Sequence, residues 1–305
     1  MKKLIISLAS MALAVTSANA QMSDLVTSTN PFQLVGAGLR IGAGSLKQEG
    51  FDIKSGMGLN TGIEGEYSYY FYSLGKSKPF IGVRTGLAVS FTNNSVSKDA
   101  YEYSLPEFAQ DGVKMAYSLK SSKIDEKNSQ IAIEVPIMGS VLYKQLYGNL
   151  GVRIGIPIVS KYKITMNDPT TTITLTDYDV TIKDSKVLGG SIPASESSKS
   201  DSFDGASFNM SLAFEGGYML EIGENWLSIG AYFDYGLVNN FSAGKGNLVD
   251  VDFSTLDPKE SKPATVSVNS LTQSHAEKMG FFDVGVRAVY SWPNIGSKSK
   301  KSKKH

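Results

Sequence analysis

Alternation with a period of two residues runs through this chain in eight separate segments. It constrains the fold more than any other feature, because it specifies strands with two unlike faces. The segments are 33–42, 59–72, 80–91, 130–143, 149–158, 208–220, 227–238 and 281–292. In the second, which contains "TGIEGEYSYYF", Thr61, Ile63, Gly65, Tyr67, Tyr69 and Phe71 share one face. Asn60, Gly62, Glu64, Glu66 and Ser68 share the other. The remaining segments repeat the arrangement, an aliphatic and aromatic face against glycines, small polar residues and single charges of either sign.

The connections add independent information. Short linkers, "SLGKSKP", "KQLYG" and "EIGEN", join the second segment to the third, the fourth to the fifth and the sixth to the seventh. Roughly 35 to 50 residues separate the third from the fourth, the fifth from the sixth and the seventh from the eighth. Loops of that length are uncommon in a compact soluble domain. Alternating short turns and long loops are the pattern of an up-and-down barrel crossing a membrane, with the long loops outside the cell. The expected fold is all-β: a transmembrane, up-and-down antiparallel β-barrel of about eight strands with long extracellular loops.

Which face meets lipid follows from the aromatics. On the apolar face they gather near the short turns at Tyr67, Tyr69, Phe71, Tyr143, Tyr218, Tyr290 and Trp292. They gather again toward the long loops at Phe91, Phe208, Phe233, Tyr235 and Phe282. Two aromatic girdles bracketing an aliphatic band match the two interfaces of a bilayer. The polar face then points into the lumen, where charges must be paired. Arg40, Arg84, Arg153 and Arg287 are the expected partners of Glu64, Glu66, Glu134, Glu215, Asp234 and Asp283. Mixed signs point to an ion-paired plug; a selective pore would favour rings of one sign, and a gated ion path is the alternative.

Lys2, Lys3, the apolar run 4–15 and "SANA" ending at Ala20 have the charged, apolar and small-residue parts of a secretory signal. The expected organisation is a signal peptide over 1–20, an outer-membrane barrel over 21–292 and a basic disordered tail over 293–305. The chain has no cysteine, which excludes disulfides and thiolate chemistry, and its formal net charge of +1 gives no reason to expect nucleic acid. "GAGLRIG" misses the dinucleotide-binding spacing, and no cofactor or metal is expected. His275 beside Ser274 is the one histidine outside the tail, and adjacency alone does not make a nucleophile and its base, so no enzymatic activity is expected. Recognition would fall to the long loops, among them 92–128, 240–280 and the alternating "TTTITLTDYDVTIK", which reads as an extension of the fifth strand's hairpin above the membrane.

The stretches "IAIEVPIMGSVLY" (131–143), "LGVRIGIPIVSKYKI" (150–164), "LAFEGGYML" (212–220) and "LSIGAYFDYGLVN" (227–239) carry a resemblance. They are similar to the bacterial outer-membrane β-barrel domains of the PorT-like and OmpA-like group. The resemblance implies residence in the outer membrane after export and insertion by the barrel-assembly machinery, with Tyr290 and Trp292 in the strand which that machinery reads. Outer-membrane lipid is then a partner, and another envelope or extracellular macromolecule could be held by the loops. A structural or interaction role is the expectation; a small pore is the alternative, and a barrel enzyme the third reading.

Overall fold

The computed structural model describes residues 31–49, 53–75, 78–110, 112–184, 198–202, 208–238, 247–255, 265–275 and 278–293. The signal segment and the tail beyond Pro293 lie outside these residues. Eight antiparallel strands close into a ring: β1 (Phe32–Glu49), β2 (Lys54–Ser73), β3 (Phe80–Gln110), β4 (Val113–Tyr143), β5 (Leu146–Asn167), β9 (Asn209–Ile222), β10 (Asn225–Gly236) and β13 (Lys278–Pro293). Each pairs with its neighbours in chain order, and β1 closes the ring against β13 from Leu34↔Pro293 to Glu49↔Lys278. The short connections at one end turn tightly, with Lys144 and Gly223 at φ 53° and 66°.

Alternation is realised as two faces of opposite character. On β1, Leu39 is 63% exposed, whereas the adjacent Arg40 is 6% exposed. The same contrast separates Ile63 from Glu64 and Val83 from Arg84. Apolar side chains therefore face outward and charges inward, which is the transmembrane arrangement and the inverse of a soluble barrel. From Ile131 to Tyr143, a strand rising ~3.3 Å per residue and tilted ~40° covers roughly 30 Å, the thickness of a bilayer's hydrocarbon core.

One expectation is corrected. The segment 92–128 is not a loop: β3 and β4 are 31 residues each and continue as one hairpin to a turn at Gly112. Their ladder runs from Phe80↔Leu142 to Gln110↔Val113. The segment 170–183 does form a hairpin, β6 (Thr170–Leu175) with β7 (Val180–Lys183). It prolongs β5 along β4, from Lys120↔Thr170 to Met115↔Leu175, in the register of Lys123↔Asn167. β8 (Ser198–Ser202) adds to the upper part of β5, and β11 (Val249–Asp252) pairs with β12 (Thr265–Val268) beside a one-turn helix, Leu271–His275.

Above the membrane the strands invert. On β4 the inward residues Met115, Tyr117, Leu119 and Ile124 are apolar and buried, while Lys120, Lys127 and Ser129 are exposed on the outside. The change of phase within this stretch coincides with Ala100, whose left-handed φ of 43° interrupts the β3–β4 pairing between Asp99↔Lys123 and Tyr101↔Ser121 without shifting its register. The inward side chains join Val96, Ile164, Ile173, Val249, Val266 and Leu271 in one apolar core, so the surface elements form a folded cap.

Candidate functional site: the lumen and its cap

The barrel interior is occupied along its length. At the short-turn end Phe32 stacks on Tyr70 at 4.8 Å and meets Phe80 edge-on at 5.2 Å, beside Leu142, Tyr147, Met219 and Trp226. Sequence reading missed this floor. The signal was present in β2, where Tyr70 simply extends the inward series of Asn60, Glu64, Glu66 and Ser68.

The ion pairs lie above the floor, and every charged residue expected in the lumen belongs to one connected set. Arg84 reaches Glu66 Oε2 at 2.7 Å and Glu64 at 3.3 Å, and it also pairs with Glu215. Arg287 donates Nε and Nη2 to Glu64 Oε1 at 2.8 and 2.6 Å, and Nη2 to Glu66 at 2.7 Å. Arg153 bridges Glu215 Oε1 at 3.1 Å to Glu134 at 3.3 Å. Arg40 closes the set on Asp234 at 2.6 Å and Asp283 at 3.2 Å, with its guanidinium 4.4 Å above the ring of Tyr232. The planar guanidinium fork suits this work because each arginine serves two or three carboxylates at once.

Glycines make the space these large side chains need. A Cβ on Gly62 would stand 2.9 Å from Arg40 Cγ, and one on Gly42 would strike the Tyr232 hydroxyl. Four guanidiniums, of Arg40, Arg84, Arg153 and Arg287, face six carboxylates, of Glu64, Glu66, Glu134, Glu215, Asp234 and Asp283. Ser90 and Tyr232 supply neutral donors, to Glu134 at 2.6 Å and to Asp283 at 3.0 Å. A polar cavity of about 40 Å³, the scale of a few water molecules, lies above this cluster among Asn128, Gln130, Glu134, Arg153, Asn209 and Asp234.

The cap closes the other end. Glu126, fully buried on β4, accepts the backbone N–H groups of Leu271 at 2.6 Å and Thr272 at 3.3 Å at the start of the one-turn helix. Asn128 donates to the Thr272 hydroxyl at 3.1 Å. Burial pushes the Glu126 carboxyl above the usual carboxylate range, against the hydrogen bonds from Thr272, Ser270, Leu271 and Asn128 that lower it. Tyr101 at the edge of the same core is pushed up to about 12 by desolvation.

The girdle residues expected from sequence all stand on the outer face. Phe71, Tyr143, Tyr218, Phe233, Tyr235, Tyr290 and Trp292 are exposed, and Tyr67 and Tyr69 are partly covered by neighbours. Tyr290 and Trp292 lie 6.4 Å apart, and Tyr69 and Phe71 6.0 Å. The Ser274 hydroxyl donates to the Ser270 carbonyl at 2.6 Å, and the side chain of His275 lies outside the described set. Gly36, Gly38 and Gly42 sit within β1, which runs on to Glu49, and the next described element is the strand β2. Among the described residues there is no cluster of three or more metal-ligating side chains, and no helix long and apolar enough to cross a membrane.

No family model matches the chain, and no curated protein matches it. Solved structures similar to it include Ail, the attachment invasion locus protein of Yersinia pestis, at 9% identity and a TM-score of 0.30, over 86% of this chain and 99% of that one. Ail in complex with the heparin analogue sucrose octasulfate gives 9% and 0.26 over the same shares. The translocator domain of the autotransporter NalP from Neisseria meningitidis gives 9% and 0.20, over 95% of each chain. At these values the barrel assignment stands on strand pairing and exposure.

Proposed function

We propose that this chain is an integral outer-membrane barrel of the PorT-like and OmpA-like group that acts structurally or by interaction through its folded surface cap, with no enzymatic activity. Export by the segment 1–20 and insertion by the barrel-assembly machinery belong to this reading. The observation that carries it is the occluded interior, with an aromatic floor, a connected layer of buried ion pairs and an apolar cap in series. An eight-stranded barrel has room inside for little more than its own side chains, and buried charges with good partners are costly to separate. What remains to meet the outside is the cap, whose outer surface is rich in lysine, serine and threonine.

The test is electrical. Purified barrel in a planar bilayer is expected to show no conductance steps in 1 M salt. Steady channels in the unmodified protein would favour the small-pore reading instead, with the charged layer rearranging as a gate.

A further inference from the structure

Just above the apolar belt, the outward side chains of neighbouring strands line up in cross-strand rows. The last apolar row is Phe91–Ile131–Val159. The next is Asn93–Ser129–Lys161–Ser202, and the one above it is Ser95–Lys127–Lys163–Ser200. Lys127 and Lys163 are thus directly opposed, a like-charge pairing that destabilises a ladder unless an anion lies across it. All three lysines are exposed.

Their neighbours higher on the cap behave differently. Lys120 pairs with Glu102 at 3.1 Å and Lys123 with Asp125 at 2.6 Å, and Lys54 pairs with Asp99. Among the described residues Lys127, Lys161 and Lys163 have no carboxylate partner. Asp125, the carboxylate in the row above, is held by Lys123 and by Asn167 Nδ2 at 3.0 Å. Asp201 lies on β8 between Ser200 and Ser202, so its side chain leaves the opposite face.

Height selects the occupant. Two and four residues beyond the last apolar row correspond to ~5 and ~10 Å above the hydrocarbon edge for a strand tilted ~40°. The lower row lies in the headgroup zone and the upper row just above it, within reach of a lysine stem that lies along the strand surface and holds its ammonium among the headgroups. The two rows line a shallow groove, and Met57, 63% exposed, borders it on the lipid-facing side.

We propose that Lys127, Lys161 and Lys163 form a binding site for the phosphate of a lipid headgroup in the surface leaflet, the serine and asparagine side chains of the two rows supplying neutral donors. The proposal rests on the membrane reading of the belt. Each lysine near a charged bilayer surface contributes attraction on the order of a several-fold gain in affinity, so three together amount to at least about tenfold.

The test uses the full chain refolded in a neutral detergent and titrated with phosphatidylglycerol, phosphatidylcholine or inorganic phosphate, with retained lipid counted by native mass spectrometry. The unmodified protein is expected to retain phosphatidylglycerol at least about tenfold more strongly than phosphatidylcholine. K127Q/K161Q/K163Q should lose that preference and K120Q/K123Q should keep it, each keeping its heat-modifiable gel mobility. Should the triple variant fail to fold, K161Q alone should reduce the preference. Equal retention of the two lipids, or a triple variant that retains phosphatidylglycerol unchanged, overturns the proposal. Inorganic phosphate binding as tightly as the lipid overturns the assignment to a headgroup. Failure to enter lipid vesicles at all would instead overturn the membrane reading beneath it.

Discussion

Below the row Phe91–Ile131–Val159 the barrel is apolar outside and holds its ion pairs inside over an aromatic floor; above it the three strands of that row, β3, β4 and β5, are polar outside and apolar inside. β4 shows both halves in one continuous strand. Ile133, Ile137 and Val141 face outward in the lower half, with Glu134, Met138 and Ser140 facing in. In the upper half Met115, Tyr117 and Leu119 face in, and Lys120 and Lys127 face out. The backbone is the same in both halves, so the solvent decides which face is apolar. Lipid rewards apolar side chains outside and leaves the few interior charges to pair with one another, whereas water rewards the reverse.

The largest expected effect breaks the lower half from within. Arg84→Ala leaves Glu64, Glu66 and Glu215 short of a partner in a buried space, and loss of one member of a buried set costs about 3–5 kcal/mol. The midpoint of urea unfolding in vesicles should fall accordingly. A shift under about 1 kcal/mol would show that the charges are solvated after all.

A second substitution separates the halves from outside. Ile137→Arg places a cation at mid-belt and is expected to cost about 2–4 kcal/mol, while Lys120→Arg above the belt changes stability little. Equal effects at both positions in the same unfolding assay would erase the distinction.

The cap supplies a pH test. The carboxyl pKa of Glu126 is higher in the folded cap than in an open one, so closure takes up a proton. The associated stability is fully present below the open-state value and is lost as pH rises through the folded one. Amide exchange at Leu271 and Thr272, corrected for intrinsic rates, should therefore report more frequent opening at neutral pH than near pH 4. Glu126→Gln should flatten that dependence, and an unchanged pH profile in the variant would refute the assignment.

The smallest effect is a gain. The Tyr117 hydroxyl is buried in the cap core without a hydrogen-bond partner among the described residues, so Tyr117→Phe should stabilise the cap by about 1 kcal/mol. Slower exchange across β4 and β6 would register it, and faster exchange would show that the hydroxyl is engaged.

The lower half was legible in sequence because lipid enforces one rule on every strand. Leu39, Ile63, Val83 and Ile137 all had to be apolar, and the inward charges then stood out singly between glycines. The cap was far less legible. Its inward residues, Tyr117, Leu119, Ile164 and Val266, alternate as faithfully, but among lysines and serines on strands broken by Ala100 and by the bulge at Ile131/Ala132. There the phase shifts, and a segment such as 92–128 reads as a loop although it is hairpin throughout. The partnership between Glu126 and the helix start joins residues 145 positions apart, and no local pattern announces it.

The inversion itself can be measured along one face of β4. The chain contains no cysteine, so single spin labels at Ile137, Ile133, Ser129 and Lys120 can be introduced without background. In vesicles, the labels at Ile137 and Ile133 should relax with oxygen and resist a water-soluble nickel chelate, and those at Ser129 and Lys120 should do the opposite. Chelate access at Ile137 equal to that at Lys120 would contradict the account, since the outer face would then be wet along its whole length.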